Sequence, residues 1–440
     1  MQDYFYTLAD FLQSRIKSSE HFTCWLSAED TDFVRFSHGA IRQPGHVRQV
    51  YLNFDLINGL RHANSSTSLS GILENDSETL GRLVCGLRGQ LDDLPEDPHL
   101  LVSTEVCSTE HTVASCLPAT SAIVDDIMAA TQSYDFVGIL AAGPIYRGFA
   151  NSYGQRNWHE TASFNLNWSL YQSHDKAVKA AYAGFDWDSA TYKDKFNAAV
   201  SQLGMLKLDP IALELGAYRA YLAPAAFGEM VALLNWDGLS EKSLRTKQSP
   251  LRRMRDEGLK LNPAITLCEN TADGIAPGFQ KEGFIKPGRI TLLDSGRLIN
   301  SMVSPRTAKE YGIATNGANG SEMMAAIDVQ AGDLPMPKIL AALDTGIYIG
   351  NLWYLNFSDR SNCRITGMTR FATFWVENGE IKAPINAMRF DDSLFRLLGD
   401  NLIGLTRERE LLVDSESYGQ RGTNNMRLPG ALVKEFNFVL

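Results

Sequence analysis

The sequence predicts an α+β protein of two domains, each with a mainly antiparallel sheet and packed helices, and with a β-rich C-terminal domain. Three observations support this class. The chain of 440 residues is too long for one ordinary core. Apolar residues recur at helical spacing in some segments and alternate with polar residues in others. We expect the domains to span residues 1–210 and 211–440, because Pro210 lies in a stretch that favours a boundary.

The N-terminal half begins with a predicted core helix, because Phe5, Leu8, Leu12 and Ile16 lie three or four residues apart. Residues 50–56 alternate between apolar and polar and predict a half-buried antiparallel strand. We place this strand after a turn at residues 28–30. The polar run 62–70 is expected to end this part of the sheet.

The remainder of this half is predicted to mix helices and strands. Helices are expected at residues 77–90, 119–132 and 190–206, and strands at residues 136–142 and 164–170.

The C-terminal half begins with a predicted strand at 216–223 and a helix at 224–234, since Pro224 suits the first turn of a helix. A hairpin is expected from strands 290–293 and 298–303, joined by a turn at 294–296. Further strands are predicted at 346–356 and 370–377. The pair Asn378-Gly379 is a strong signal for a type I′ turn.

Composition excludes several classes of function. The net charge of −10 disfavours a duplex-DNA binder. The six cysteines form no C-x-x-C pair, so we expect reduced thiols. No apolar stretch approaches the length of a membrane span, and the N-terminus does not resemble a secretory signal, so a cytoplasmic location is expected. The basic run 242–255 is interpreted as a solvated loop, with a patch for an acidic partner or peptide terminus as the alternative.

The usual catalytic motifs are absent from the sequence. All eight histidines lie at or before position 174, and none belongs to an H-E-x-x-H or H-E-x-x-x-H segment. The pair His159-Glu160 is interpreted as a polar pair on a strand. Phosphate-binding glycine loops and the G-x-S-x-G elbow are missing. The acid pairs 125–126 and 391–392 are interpreted as solvated faces, and we predict no catalytic residue, metal or cofactor for this chain alone.

Several short segments of the C-terminal half nevertheless occur in a characteristic order. They are Asp294-Ser295-Gly296-Arg297-Leu298, Ser304-Pro305-Arg306-Thr307-Ala308, Ala314-Thr315-Asn316-Gly317, residues 346–353, Thr366-Gly367 and residues 375–381. This series resembles the TldD/PmbA family. Residues 34–36 and 151–154 resemble N-terminal features of the same family, so the resemblance extends over nearly the whole chain.

The resemblance implies a metallopeptidase-like protein of the PmbA (TldE) type. TldD-type members hold zinc with an H-E-x-x-x-H segment and a cysteine near the C-terminus. The corresponding segment here is Ala223-Pro224-Ala225-Ala226-Phe227-Gly228, and Tyr418 begins the segment that matches the cysteine motif. Neither offers a zinc ligand.

The resemblance also implies partners. Such chains pair with a TldD-type zinc peptidase subunit as a heterodimer that degrades unfolded peptides. We expect one wall of a peptide cavity to include six residues: Gly346, Gly350, Asn351, Thr366, Gly367 and Arg370. The alternative is that these glycines serve only bends and turns of strands.

Two further hypotheses about function remain open from the sequence. The chain could be a stand-alone homodimeric peptide-binding protein that uses the basic run 242–255. The family is also known by an older label, modulator of DNA gyrase, but the acidic charge makes direct contact with nucleic acid an unfavourable interpretation.

Overall fold

The computed structural model describes residues 1–173, 176–273, 275–415 and 419–439. It has an α+β fold with two sheets, in which antiparallel pairings predominate, as predicted. No helix among the described residues is both long enough and apolar enough to cross a lipid bilayer.

The first sheet has seven strands in the order β3-β2-β1-β5-β6-β4, with β7 also paired to β6. Its elements and the helices around it are α1 (Gln2–Arg15), β1 (His21–Ser37), β2 (Ala40–Asn58), β3 (Arg61–Leu69), α2 (Leu73–Leu91), β4 (Thr109–Thr112), α3 (Thr120–Thr131), β5 (Asp135–Asn151), β6 (Arg156–Ser173), β7 (Lys176–Gly184) and α4 (Ser189–Met205).

The two faces of this sheet differ in chemistry. Side chains alternate between faces along a strand, and Leu26, Phe36, Phe136, Leu166 and other even-numbered apolar residues of β1, β5 and β6 face the helices. One end of this face packs against α1 and α2, and the other end packs against α3 and α4. The opposite face carries buried polar residues that contact the second half of the chain.

The second sheet has eleven strands. Its elements are β8 (Gly216–Leu222), α5 (Pro224–Asn235), α6 (Glu241–Arg245), α7 (Arg252–Asp256), β9 (Leu267–Asn270), β10 (Arg289–Asp294), β11 (Arg297–Leu298), α8 (Pro305–Tyr311), β12 (Ala326–Val329), a 3-10 turn (Met336–Lys338), α9 (Ile339–Leu343), β13 (Gly346–Asp359), β14 (Arg364–Glu377), β15 (Glu380–Pro384), β16 (Arg389–Ser393), α10 (Leu394–Leu397), β17 (Leu402–Val413) and β18 (Asn425–Phe438).

Part of the second sheet closes on itself. Strand β8 pairs with β13, β13 with β14, β14 with β16, and β16 with β18. Strand β18 then pairs with β8 again, which completes a ring of five strands. Its largest core includes Phe390, Phe436 and Phe438. The division at residue 210 stays a prediction, because Ala372 and Phe374 of the second sheet share a core with α3 and α4.

Most predicted helices and strands are present, and the type I′ turn is confirmed by positive φ angles at Asn378 (52°) and Gly379 (76°). Two predictions about the first sheet are wrong. Residues 28–30 lie inside β1, and residues 62–69 belong to β3 rather than ending the sheet. The predicted strand 298–303 is also wrong beyond Leu298, where β11 ends.

The misplaced turn has a long-range cause. Glu29 is 1% exposed, which is unusual for a strand carboxylate. It accepts hydrogen bonds from Thr31 (2.9 Å), from Gln49 (2.5 Å) and from the backbone N–H of Arg421 (3.3 Å). These donors satisfy the carboxylate inside the sheet, and the two distant ones, Gln49 and Arg421, could not be anticipated from the local sequence.

The charged segments are also more ordered than expected. The run 242–255 is not a solvated loop, since it contains most of α6 and most of α7. Both Arg245 and Arg255 lie 2.6 Å from Glu241 in ion pairs. The interpretation of 391–392 as a solvated face is wrong for Asp392, which is 3% exposed and pairs with Arg396.

Candidate functional site: a cavity between the two sheets

A cavity of about 630 Å³ lies between the two halves of the chain. One side is formed by β6, β7 and α4, and the other by α5, β12, β13, β17 and the start of β18. Its volume falls in the range of pockets that bind small molecules or short peptide segments. It is therefore the main candidate functional site.

The start of α5 forms one wall of this cavity. Ala223 is extended (φ −62°, ψ 160°) and Pro224 occupies the first turn, where its missing N–H costs no helical hydrogen bond. Ala223, Pro224, Ala225 and Gly228 line the cavity. A Cβ atom on Gly228 would lie 3.2 Å from Leu412, so a small residue keeps α5 close to β17.

This wall does not fit a zinc ion. Residues 223–228 contain no imidazole, thiol or carboxylate, and the first carboxylate of α5 is that of Glu229. In the described part of the chain, no three His, Cys, Asp or Glu side chains form a group that could hold a metal. Hydrolytic zinc needs about three protein ligands and an open position.

Five charged residues line the cavity: Lys179, Lys195, Glu229, Glu410 and Asp414. Lys195 and Glu410 form an ion pair at 3.3 Å. Partial burial in the cavity raises the pKa of Glu229 above its usual value, and the charge of Lys179 opposes this shift. Burial, with a smaller effect of Glu410, raises the pKa of Tyr348 to about 12, so its phenol is a neutral donor or acceptor at pH 7.

Two strand edges border the cavity. Residues 178–181 of β7 line it, and β7 pairs only with β6 among the described strands. Residues 410 and 412–413 of β17 line it from the second sheet, and β17 pairs with β18 on its other edge. Unpaired strand edges present backbone N–H and C=O groups that an extended chain can pair with.

The segment 419–425 connects the two halves beside this cavity. The guanidinium of Arg421, which is 5% exposed, donates to Ser163 and to the carbonyl of Gly143 at 3.0 Å. The carbonyl of Arg421 accepts from Arg147 at 2.9 Å. Burial lowers the pKa of both arginines to about 10, and the charge of Glu29 opposes that shift. Tyr418 begins the segment that was compared with the C-terminal cysteine motif in the sequence analysis, and it lies outside the described residues.

A sequence model described as the PmbA/TldA metallopeptidase C-terminal domain matches residues 215–439, just over half of the chain. The chain belongs to the PmbA/TldD family. The resemblance found in the sequence is thereby confirmed. No curated protein sequence matches this chain.

Solved structures share the fold of this PmbA/TldD chain over its full length. TldE from Thermococcus kodakarensis is 13% identical, with a TM-score of 0.80 over 99% of this chain and 100% of that one. A protein of Thermotoga maritima described as a modulator of a DNA gyrase is 13% identical, with a TM-score of 0.77 over 99% of both chains. A protein of Bacteroides thetaiotaomicron with a similar description is 14% identical, with a TM-score of 0.75 over 99% of this chain and 98% of that one.

The six residues predicted for the peptide wall of this PmbA/TldD chain are distributed over two regions. Gly350 and Asn351 line the cavity, where β13 has an irregularity in its register. The other four do not line it. A Cβ on Gly346 would lie 2.3 Å from the carbonyl of Arg219, and one on Gly367 would lie 2.8 Å from Phe390. These two glycines permit close packing of strands.

The remaining two predicted residues have local contacts away from the cavity. Thr366 donates to the carbonyl of Phe390 at 2.9 Å. The guanidinium of Arg370 lies 4.4 Å from the centroid of the Trp353 ring, in a cation–π arrangement. The sequence analysis did not identify the charged cavity residues Lys179, Lys195, Glu229 and Glu410, because an isolated charged residue belongs to no motif. Only Glu229 could have been found from the sequence, since it directly follows the segment 223–228 that matches the family's zinc-binding segment.

The predicted polar pair on a strand is confirmed for His159 and Glu160, which lie in β6. Burial, and then the neighbouring His111, lowers the pKa of His159 to about 4. The neutral ring stacks on His111 at 4.9 Å, and its Nε2 lies 2.7 Å from the carbonyl of Ile275. Since a carbonyl only accepts, Nε2 carries the proton. His159 therefore connects the two halves of the chain through this hydrogen bond.

Proposed function

We propose that this chain is the PmbA/TldE-type subunit without its own zinc site, and that it assists a TldD-type partner in degrading unfolded peptides. The observation that carries the proposal is the start of α5. It lines the large cavity at the family's metal-binding segment, yet residues 223–228 supply no metal ligand.

In this proposal the cavity of this chain binds the peptide, and the TldD-type partner cleaves it. The edges of β7 and β17 offer main-chain hydrogen bonds, which do not depend on peptide sequence. Asn351 and the neutral phenol of Tyr348 add polar contacts within the same cavity. A holding site of this kind suits unfolded substrates, because only an extended chain exposes its backbone for pairing.

The basic run 242–255 does not favour the alternative of a stand-alone homodimer built on that run. Arg245 and Arg255 are both paired with the buried carboxylate of Glu241. Arg253 is paired with Glu257. Half of the six basic residues of this run are therefore paired, and Lys242, Lys247 and Arg252 form no ion pair among the described residues. The stand-alone protein enters as an outcome of the test below.

The test combines metal analysis, sizing and cleavage. The purified chain is measured for zinc by mass spectrometry and sized alone and with a TldD-type chain, and each sample is given an unstructured peptide. We expect no stoichiometric zinc in this chain, a heterodimer in the mixture, and cleavage only in the mixture. Zinc-dependent cleavage by this chain alone would contradict the proposal. A homodimer that binds peptide, with no cleavage in the mixture, would support the stand-alone alternative instead.

A further inference from the structure

The cavity continues into a groove on one face of the first sheet, at the end of the sheet that the second half of the chain leaves uncovered. This groove encloses about 620 Å³ and is lined by residues of β1, β2, β5, β6 and β7. It shares Asn167 and Lys179 with the cavity. The two spaces therefore meet at the edge of the sheet.

The register of the strands defines the floor of the groove and its junction with the cavity, which Ala181 lines. One transverse row runs across five strands, each member directly opposite the next: Ala181, Asn167, Ile139, Arg35 and Gln43. Residues that oppose each other in this way share a face of the sheet. The even-numbered residues beside them face α3 and α4, so this row lies on the other face.

The rest of that face is covered by the second half of the chain. Arg147 contacts Arg421, His159 contacts Ile275, and Asn165 contacts Val413. At the end of the sheet where the groove lies, Val137 is 37% exposed and Arg35 is also exposed. This face of the first sheet is therefore a buried polar interface at one end and a solvent-exposed surface at the other.

The chemistry of the groove favours one kind of occupant. Phe33, Val47, Val137 and Ile139 supply apolar surface. Among the described residues that line the groove, the charged ones are Arg35 and Lys179, with no carboxylate between them. In a chain of net charge −10, this is a local positive region.

We infer that the groove binds the continuation of an extended peptide held in the cavity, and that it favours acidic side chains there. This inference rests on the proposed function, because the peptide is the occupant in both. Five strands at about 4.8 Å spacing span about 19 Å, which matches about five or six extended residues at about 3.3 Å each. The groove gives this chain a preference for longer peptides with acidic residues beyond the segment in the cavity.

The test measures peptide binding to this chain alone by fluorescence anisotropy. Labelled peptides of about six residues and about twelve residues are compared, the longer one with Glu or with Lys in its added half. We expect the longer Glu peptide to bind at least about tenfold tighter than the short one, and the Lys peptide to gain less.

Paired substitutions at one exposed position test the charge of the groove. Val137→Lys should strengthen and Val137→Glu should weaken binding of the longer Glu peptide, each about two- to fivefold, as expected for exposed charge pairs. Arg35→Gln should weaken it similarly. Arg42→Gln, which removes an exposed arginine of β2 that does not line the groove, is the matched control and should leave binding unchanged. The short peptide should bind equally to all four variants.

Several outcomes would overturn the inference, and they are distinguishable from failure of the proposed function. Equal affinity for short and long peptides would refute the groove while leaving peptide binding in the cavity intact. No binding of any peptide would remove the basis for both. If Val137→Glu changed the oligomeric state and not peptide affinity, the groove would be covered by a second copy of the chain instead.

Discussion

The Nη2 atom of Arg421 lies 2.9 Å from the hydroxyl oxygen of Ser163, although 258 positions separate the two residues. Ser163 belongs to β6 of the first sheet, and Arg421 belongs to the segment that leads into β18 of the second. The same guanidinium group also donates to the carbonyls of Ser163 and Gly143. Arg421 thus anchors the C-terminal segment to the first sheet, next to the cavity residues of β17.

Arg421→Met should destabilise the chain by about 2–4 kcal/mol, because several buried carbonyl and hydroxyl acceptors would lose their donor. Urea unfolding measures this loss. Limited proteolysis should also show earlier cleavage at residues 419–424, which Arg421 anchors. The control is Arg407→Met on β17, whose side chain is exposed. Equal losses of stability in the two variants would contradict the anchoring role.

Glu241 is predicted to be the residue on which the basic run 242–255 depends. Burial acts to raise its pKa, but donors from Arg255, Ser301 and Arg245 outweigh burial, so the pKa is lowered. Its stabilising contribution is therefore present near neutral pH and is lost as the pH falls through the lowered pKa. Glu241→Gln should cost about 1–3 kcal/mol in the free energy of unfolding at pH 7, measured by urea unfolding.

The matched control for Glu241 is Glu257→Gln. Glu257 forms an exposed pair with Arg253 at 2.8 Å, four residues apart on the chain. Its loss should leave the midpoint of urea unfolding close to that of the unsubstituted chain, because water screens an exposed ion pair. A cost for Glu257→Gln as large as that for Glu241→Gln would show that burial of Glu241 contributes nothing.

His62 should make stability fall as the pH rises. A hydrogen bond to Asp55 raises the pKa of His62, and burial opposes this shift. A raised pKa means that the folded state binds the proton more tightly than the unfolded state. The contribution is complete below the unfolded pKa of about 6.5 and is lost as the pH rises through the folded pKa.

This dependence is checked by measuring unfolding between pH 5.5 and pH 8.5, with an NMR titration of the ring of His62. We expect a contribution below about 1 kcal/mol, since the pair is partly exposed. His62→Asn should remove this part of the pH dependence. Asp55→Asn should only reduce it, because Asp97 still lies 3.7 Å from the ring of His62. The double variant should remove no more than His62→Asn alone. An unchanged slope in His62→Asn would show that another group titrates.

Gly346→Ala should reduce the stability of the fold, because Gly346 packs between strands and does not line the cavity. A Cβ atom there would lie 2.3 Å from the carbonyl of Arg219, where β8 and β13 run side by side. Overpacking of this kind costs about 1–3 kcal/mol, which a thermal or urea unfolding curve detects. Gly204→Ala in α4 is the opposite control, because nothing lies within 4 Å of its added Cβ. It should stabilise by up to about 1 kcal/mol.

Local patterns were sufficient for many elements of the fold. Pro224 predicts the start of α5, and Asn378-Gly379 predicts the turn between β14 and β15, because each acts through its own backbone geometry. Residues 28–30 were misassigned because the buried polar side chain of Glu29 is satisfied by distant partners. Residues 62–69 were misassigned because β3 is an edge strand whose polar side chains are mostly accessible to solvent. Glu29 needs Gln49 and Arg421 before it can lie inside a strand.

The candidate site was predictable only in part. The family segments in the sequence led to residues 223–228, four of which line the cavity, and to Gly350 and Asn351, which line it as well. Gly346, Thr366, Gly367 and Arg370 belong to the same strands but do not line it, because side-chain alternation and register irregularities in β13 and β14 decide which residues face inward.

The sequence by itself determined the fold class, the family and the lack of a zinc-binding segment, because periodicity and residue type are properties of the chain read in order. Only the tertiary structure determined which charged residues lie close together. Lys179 and Glu229 are 50 positions apart in the printed sequence, yet both line one cavity between two sheets. Pairing between distant strands places such residues, and strand register over long separations is set by packing of the whole fold.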